Sequence, residues 1–188
     1  FMQQKVNFEE RSELVQVVAN AIGRRQDQLI IDALVAGKGS TIAHGSAELS
    51  TAKLRDAKKT LDKNNVPPED RHILLHANNL AALLSETAVT SADFNTVRAL
   101  VSGELDTWLG FKFHTLGDRT EGGVAINASN HRSCIAFHKS AIGYGEGIGP
   151  KTEINYVPEK TSFLVNAMLS ACSVGIDSEG IVEVLAVE

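Results

Sequence analysis

The sequence predicts an α+β protein, and three observations carry that reading. A long amphipathic stretch stands near the N-terminus. Helix and strand signals then alternate without regular βαβ repeats, and the last part is dominated by extended segments. The 188 residues, 43% hydrophobic and 22% charged, have ordinary globular composition, enough to bury one good core and to form two connected lobes.

Asn7 is a capping-type residue ahead of Phe8, Glu9 and Glu10 fall in a first turn, and Leu14, Val17, Val18, Ala21, Ile22, Leu29, Ile30, Ala33 and Leu34 recur at helical spacing. A helix over 8–36 follows, on the order of 40 Å long. Gly37, Lys38, Gly39 and Ser40 read as its flexible stop. Ser50 is placed to cap a second helix carrying Leu54, Ala57 and Leu61. Asn64, Asn65, Val66, Pro67 and Pro68 break that helix, because proline cannot donate and restricts the residue before it.

After a turn through Glu69 and Asp70, residues 71–76 hold Ile73, Leu74 and Leu75 and read as a short buried strand. Residues 78–84 follow as a helix that packs Leu80, Leu83 and Leu84. Residues 91–108 read as partly helical, with Phe94, Val97 and Leu100 on one side and Gly103 as a break. The chain turns extended from Leu109 to Phe113. Residues 132–137 form a further strand and 138–144 a short helical turn, while Gly143, Gly145, Gly147, Gly149 and Pro150 mark a loop. The end alternates over 151–157, 161–176 and 181–187, with Asp177, Ser178, Glu179 and Gly180 as a hairpin-like turn.

The charge balance excludes several classes of function. A formal net charge of −5, a pI of about 5.7 and 18 Lys and Arg spread along the chain argue against a dedicated nucleic-acid or anionic-membrane binder. Cys134 and Cys172 are far apart and outside any paired metal-type spacing, so they point to reduced thiols and not to a disulfide framework or structural zinc. No apolar run approaches the roughly 20 residues that span a bilayer, and no signal-type segment opens the chain.

Each chemical motif competes with a plainer reading. His72 and His76 share a face whether on a strand or a helix, but no third metal ligand stands near them. Gly143 to Gly149 lacks the Lys-Ser or Lys-Thr of a phosphate loop, and Lys38-Gly39-Ser40 lacks the glycine that should precede it. Asp118, Arg119 and Glu121 before Gly122 and Gly123 could pair carboxylates, but they read as a solvated turn. Cys134 between His131 and His138 allows a Cys/His nucleophile, against the usual fate of a buried structural cysteine. Trp108, Phe111 and Phe113 read as core and not as a stacking platform, as does Phe94. Asn127-Ala128-Ser129 matches a glycosylation acceptor and reads as a loop. No catalytic, cofactor-binding or metal residue is therefore assigned.

Three stretches together resemble the major capsid (coat) protein of tailed bacteriophages, the Hong Kong 97-type fold. The helix over 8–36, with Leu54 to Leu61 and then Asn65-Val66-Pro67-Pro68-Glu69-Asp70-Arg71 and its strand, is similar to that family's spine helix and Pro-Pro-Glu-x-Arg turn. Ser91-Ala92-Asp93-Phe94, with Val101-Ser102-Gly103-Glu104-Leu105-Asp106-Thr107-Trp108-Leu109-Gly110-Phe111, resembles the element leading to its Leu-Gly-Phe strand. His138-Lys139-Ser140-Ala141-Ile142-Gly143 is similar to the segment before its variable loop and closing strands.

The resemblance implies a long spine helix, a mixed α/β axial lobe and a β-rich peripheral lobe. It divides the chain into 1–49 (spine helix and connection, peripheral), 50–150 (axial) and 151–188 (closing strands joining both), and it departs from the family in having almost nothing ahead of the spine helix where an N-terminal arm and extended loop are expected. It further implies a non-enzymatic shell subunit assembling into hexamers and pentamers around double-stranded DNA, with 118–123 or 143–150 as ring-centre loops. Implied partners are copies of itself, scaffolding and portal proteins and DNA held without sequence specificity, with no membrane. The implied location is the virion, assembled in the bacterial host cytoplasm. The alternatives are a metal-dependent or Cys/His hydrolase using His72, His76, His131 or Cys134, and a cellular nanocompartment shell.

Overall fold

A computed structural model of the chain describes residues 8–86, 107–124, 126, 127 and 129–187. The expected helical stretch through Phe94, Val97 and Leu100, and the Asn7 cap, lie outside the described residues.

The first element is the helix α1 (Phe8–Gly37), whose 30 residues span about 45 Å at 1.5 Å per residue. A short strand β1 (Ser40–Ile42) leads to α2 (Thr51–Lys63), capped by the Ser50 side chain. The capping also draws on a distant residue, since the Glu86 carboxylate accepts from both the Thr51 amide and its hydroxyl. Strand β2 (Arg71–His76) runs directly into α3 (Ala77–Ser85), where the His76 ring accepts from the Asn78 amide and acts as the cap. Then follow β3 (Thr107–Trp108), β4 (Phe111–Leu116), β5 (His131–His138), β6 (Ile142–Val157), β7 (Ser162–Gly175) and β8 (Ile181–Val187).

Six strands form one mixed sheet in the order β1-β8-β5-β2-β4-β3, with β1 parallel to β8, β2 parallel to β4 and the other pairs antiparallel. Because side chains alternate across a strand, one face receives Cys134 and Ala136 of β5, Val182, Val184 and Ala186 of β8, and Ile73 and Leu75 of β2. Leu54, Ala57 and Leu61 of α2, three and four residues apart, close over this face. Leu83 of α3 and Phe111 of β4 complete the cluster, and full burial of each large side chain contributes about 1.5–3 kcal/mol. The opposite face packs Ile135 and Ile181 under Leu34 and Ile30 of α1.

Arg71 explains the Pro-Pro turn. Its guanidinium is buried, donates from Nε to the Pro67 carbonyl at 2.9 Å and from Nη2 to the Val66 carbonyl at 2.6 Å, and pairs with Asp62 at 2.7 Å. One cation thus satisfies carbonyls that proline leaves without a helical or strand partner.

Two sequence expectations are corrected. The run Gly143 to Pro150 is not a loop but the first half of β6, paired with Cys172, Ala171 and Ser170 of β7. The register shifts between Glu146 and Ile148 and again between Ile148 and Lys151, so Gly147 and the Gly149-Pro150 pair are absorbed as bulges. Residues 177–180 do not join a hairpin either, because β7 and β8 belong to different sheets. A 3-10 turn (Ser178–Gly180) carries the chain across instead, with the Ile176 amide donating to the Ala141 carbonyl at 2.8 Å and Gly180 too close to Ala141 to admit a Cβ.

Candidate functional site: an assembly interface

The residues that could have supported catalysis are held apart. Cys134 is buried, its thiol pushed up to about 11 by that burial, and its partner is Asn79 Nδ2 at 3.1 Å. His131 stacks on His44 with centroids 3.8 Å apart, and His138 Nδ1 meets Ser140 Oγ at 2.7 Å, so neither histidine serves the thiol. His72 and His76 share β2 but part company: His72 meets His114, while His76 Nε2 lies 3.3 Å from Asp118. Among the described residues no group of three or more His, Cys, Asp or Glu side chains could hold a metal ion, and no described helix is long and apolar enough to cross a membrane.

The expected solvated turn at 118–123 is better anchored than its sequence suggested. Asp118 is 69% exposed, but its carboxylate is 2.8 Å from the buried Arg132 guanidinium, whose hydrogen bond holds the acid below its ordinary value. Glu121 lies 3.7 Å from Arg25, and the Gly122 amide donates to Gln28 Oε1, so the turn is tied to α1.

The sequence also missed Glu183, a buried acid on β8 between β1 and β5. Burial pushes its carboxyl up, but hydrogen bonds from Lys38 at 2.6 Å, Ser133 at 2.8 Å and Thr41 at 3.0 Å outweigh that and hold it below its usual value. Lys38, dismissed as part of a phosphate loop, is the counter-ion that joins the end of α1 to β8.

A long two-stranded ribbon is formed by β6 and β7. Among the described residues its two strands pair only with each other and, at about 3.3 Å per residue, reach roughly 50 Å. Neither strand contains a buried residue. Paired residues share a face, so Tyr156 with Phe163, Ile154 with Val165 and Thr152 with Ala167 form one apolar side. The other side alternates in polarity, through Asn155, Glu153, Lys151 and Asn166. At its base the apolar side meets α1, where Gln26 donates to Tyr144 Oη at 2.9 Å and to Glu146 at 2.8 Å. Gly37 and Gly175 cross there so closely that a Cβ on either would lie about 3 Å from the other's Cα.

Further out, the same side is half exposed: Tyr156 is 52% exposed, Phe163 47% and Ile154 44%, with the Tyr156 and Phe163 rings 5.2 Å apart. Leu14 and Val17 in the N-terminal half of α1 are likewise exposed. An isolated two-stranded ribbon is marginal in water and an aromatic face on it is an aggregation hazard, so this surface is suited to burial against another protein surface.

A family model described as phage capsid protein matches residues 2–188. Among solved structures, a chain of Mycobacterium phage Che8 is 22% identical with a TM-score of 0.74, over 95% of this chain and 63% of that one. The capsid structure of the cyanophage P-SCSP1u is 19% identical with a TM-score of 0.71, over 94% of this chain and 65% of that one. The holo-SrpI encapsulin complex from Synechococcus elongatus PCC 7942 is 13% identical with a TM-score of 0.63, over all of this chain and 69% of that one. The chain thus spans less than two thirds of the length of the first two structures, and these likenesses carry the fold. No curated protein matches the sequence.

Proposed function

Since the chain belongs to the phage capsid protein family, we propose that it is a structural shell subunit that associates with copies of itself through the apolar side of the β6–β7 ribbon. The observation that carries this reading is the exposed row Ile154, Tyr156 and Phe163, projecting from a ribbon without a buried residue. Shell subunits act through repeated contacts between complementary surfaces that close by rotation, which asks for such faces and for no active site.

Under this proposal the six-stranded sheet with α2 and α3 forms the axial-type lobe, and α1 with the β6–β7 ribbon forms the peripheral-type lobe. The expected junction at 150 falls within β6, so the closing strands divide between lobes, β7 with the ribbon and β8 with the sheet. Hexamers and pentamers enclosing double-stranded DNA, scaffolding and portal partners, residence in the virion and assembly in the bacterial host cytoplasm belong to the same proposal. The acidic balance and dispersed cations are consistent with DNA contained without sequence readout. A nanocompartment shell shares the fold, and the family match favours the phage reading. Negative-stain electron microscopy of the protein expressed with its neighbouring genes tests this: rings or closed shells are expected, and a persistent monomer would contradict it.

A further inference from the structure

The sheet face opposite α2 is only partly covered by α1, and near its β4 edge it carries two histidines in direct contact. His72 of β2 and His114 of β4 lie on neighbouring parallel strands, two residues apart in register and on the same face. His72 Nδ1 is 2.9 Å from His114 Nε2, whereas the ring centroids are 5.1 Å apart, so the rings approach through their nitrogen edges. The other flank of the His72 ring stacks on Phe137 of β5 at 5.6 Å, which limits its rotation. Both backbones are fixed by the ladder, so the two nitrogens are held within reach of one ion.

We propose that His72 and His114 chelate one divalent transition-metal ion of the imidazole-preferring kind, Cu²⁺ before Ni²⁺, with water completing the coordination. Two metal–nitrogen bonds of about 2.0 Å at a right angle span about 2.8 Å, close to the observed nitrogen separation, and each ring turns its nitrogen by roughly 45° away from the hydrogen-bonded line to face the ion. Without metal, one of the two facing nitrogens donates a proton to the other. On binding, that proton leaves through solvent and the same ring takes one up on its remote nitrogen, so both imidazoles stay neutral and no redox step is involved.

The charged groups around the pair do not oppose this. Lys112, the nearest cation on β4, is paired with Asp70 at 2.8 Å. Burial, then the neighbouring His114, Lys112 and, more weakly, Lys139, hold His72 below its ordinary value against the opposing pull of Asp70, so protons compete poorly for its nitrogen. His44 and His131 stack face to face at 3.8 Å instead of meeting through a hydrogen bond, and they provide the internal control.

The test is titration calorimetry of the chain with CuCl₂ and NiCl₂ in a non-coordinating buffer at pH 7.5, with electron paramagnetic resonance of the Cu²⁺ form. Wild type should take up one ion with two nitrogen ligands. His72→Gln and His114→Gln should each weaken that site about tenfold or more, since losing one ligand removes the chelate. His44→Gln with His131→Gln should leave it unchanged. Circular dichroism checks that each variant is folded. Equal affinity in wild type and both single variants, or no nitrogen-ligated Cu²⁺ in wild type, would mean that the pair is only a hydrogen bond and would overturn the proposal.

Discussion

The six-stranded sheet and the β6–β7 ribbon are built from similar residues, yet they end in opposite states. Ile, Val and Leu in β8 are shut between α1, α2 and two neighbouring strands, and even Glu183 is enclosed there by three donors. Ile154, Tyr156, Phe163, Leu164 and Met168 in the ribbon are left exposed among the described residues. Hydrophobic content alone therefore does not separate a core strand from an exposed one. What separates them is whether a second layer is supplied, and among the described residues the ribbon receives one at its base, through α1.

The contrast can be broken from the sheet side first. Leu54→Ala should cost about 2–5 kcal/mol in chemical denaturation, because α2 cannot collapse onto the cavity it leaves. Arg71→Met should cost about 2–3 kcal/mol, less than a fully buried pair, since Asp62 is half exposed and regains water while the Val66 and Pro67 carbonyls lose their donor. Gly39→Ala should cost about 1–3 kcal/mol, because its new Cβ would strike the Ser178 carbonyl and force the α1–β8 junction apart.

A fourth expectation sharpens the comparison by pH. The Glu183 carboxyl is held below its ordinary value in the folded chain, so the stability it contributes is present above the unfolded value of about 4.3 and is lost as pH falls through the folded value. Acid titration of Glu183→Gln, followed by circular dichroism, should show a shallower loss of stability between about pH 5 and pH 2 than wild type. The smallest effect on folding belongs to the ribbon: Phe163→Ala should cost about 1 kcal/mol or less, since its ring is half exposed and its described ring contact is the cross-strand one with Tyr156 at 5.2 Å.

Local signals suffice where the covering layer is local. The periodicity of α1, the Ser50 cap, the Pro67-Pro68 break and the strand at Arg71 all follow from neighbours in sequence. The glycine run at 143–149 misled because glycine and proline mark loops in isolation, whereas here β7 supplies the ladder and bulges take up the misfit. The Gly37–Gly175 crossing, the Lys38–Glu183 pair and the His72–His114 contact join residues distant in sequence, and no single-sequence pattern announces them. The apolar ribbon was visible as alternation, but its exposure depends on what lies opposite, which only the fold reveals.

The most direct test of the assembly surface is light scattering with sedimentation velocity on wild type and on a triple variant, Ile154→Asp, Tyr156→Asp and Phe163→Asp, with thermal melts alongside. Concentration-dependent association of wild type, lost in a variant whose melting is unchanged, is the expected result. Association that survives the three charges, or a wild type monomeric at every concentration, would contradict the claim that the ribbon is where subunits meet.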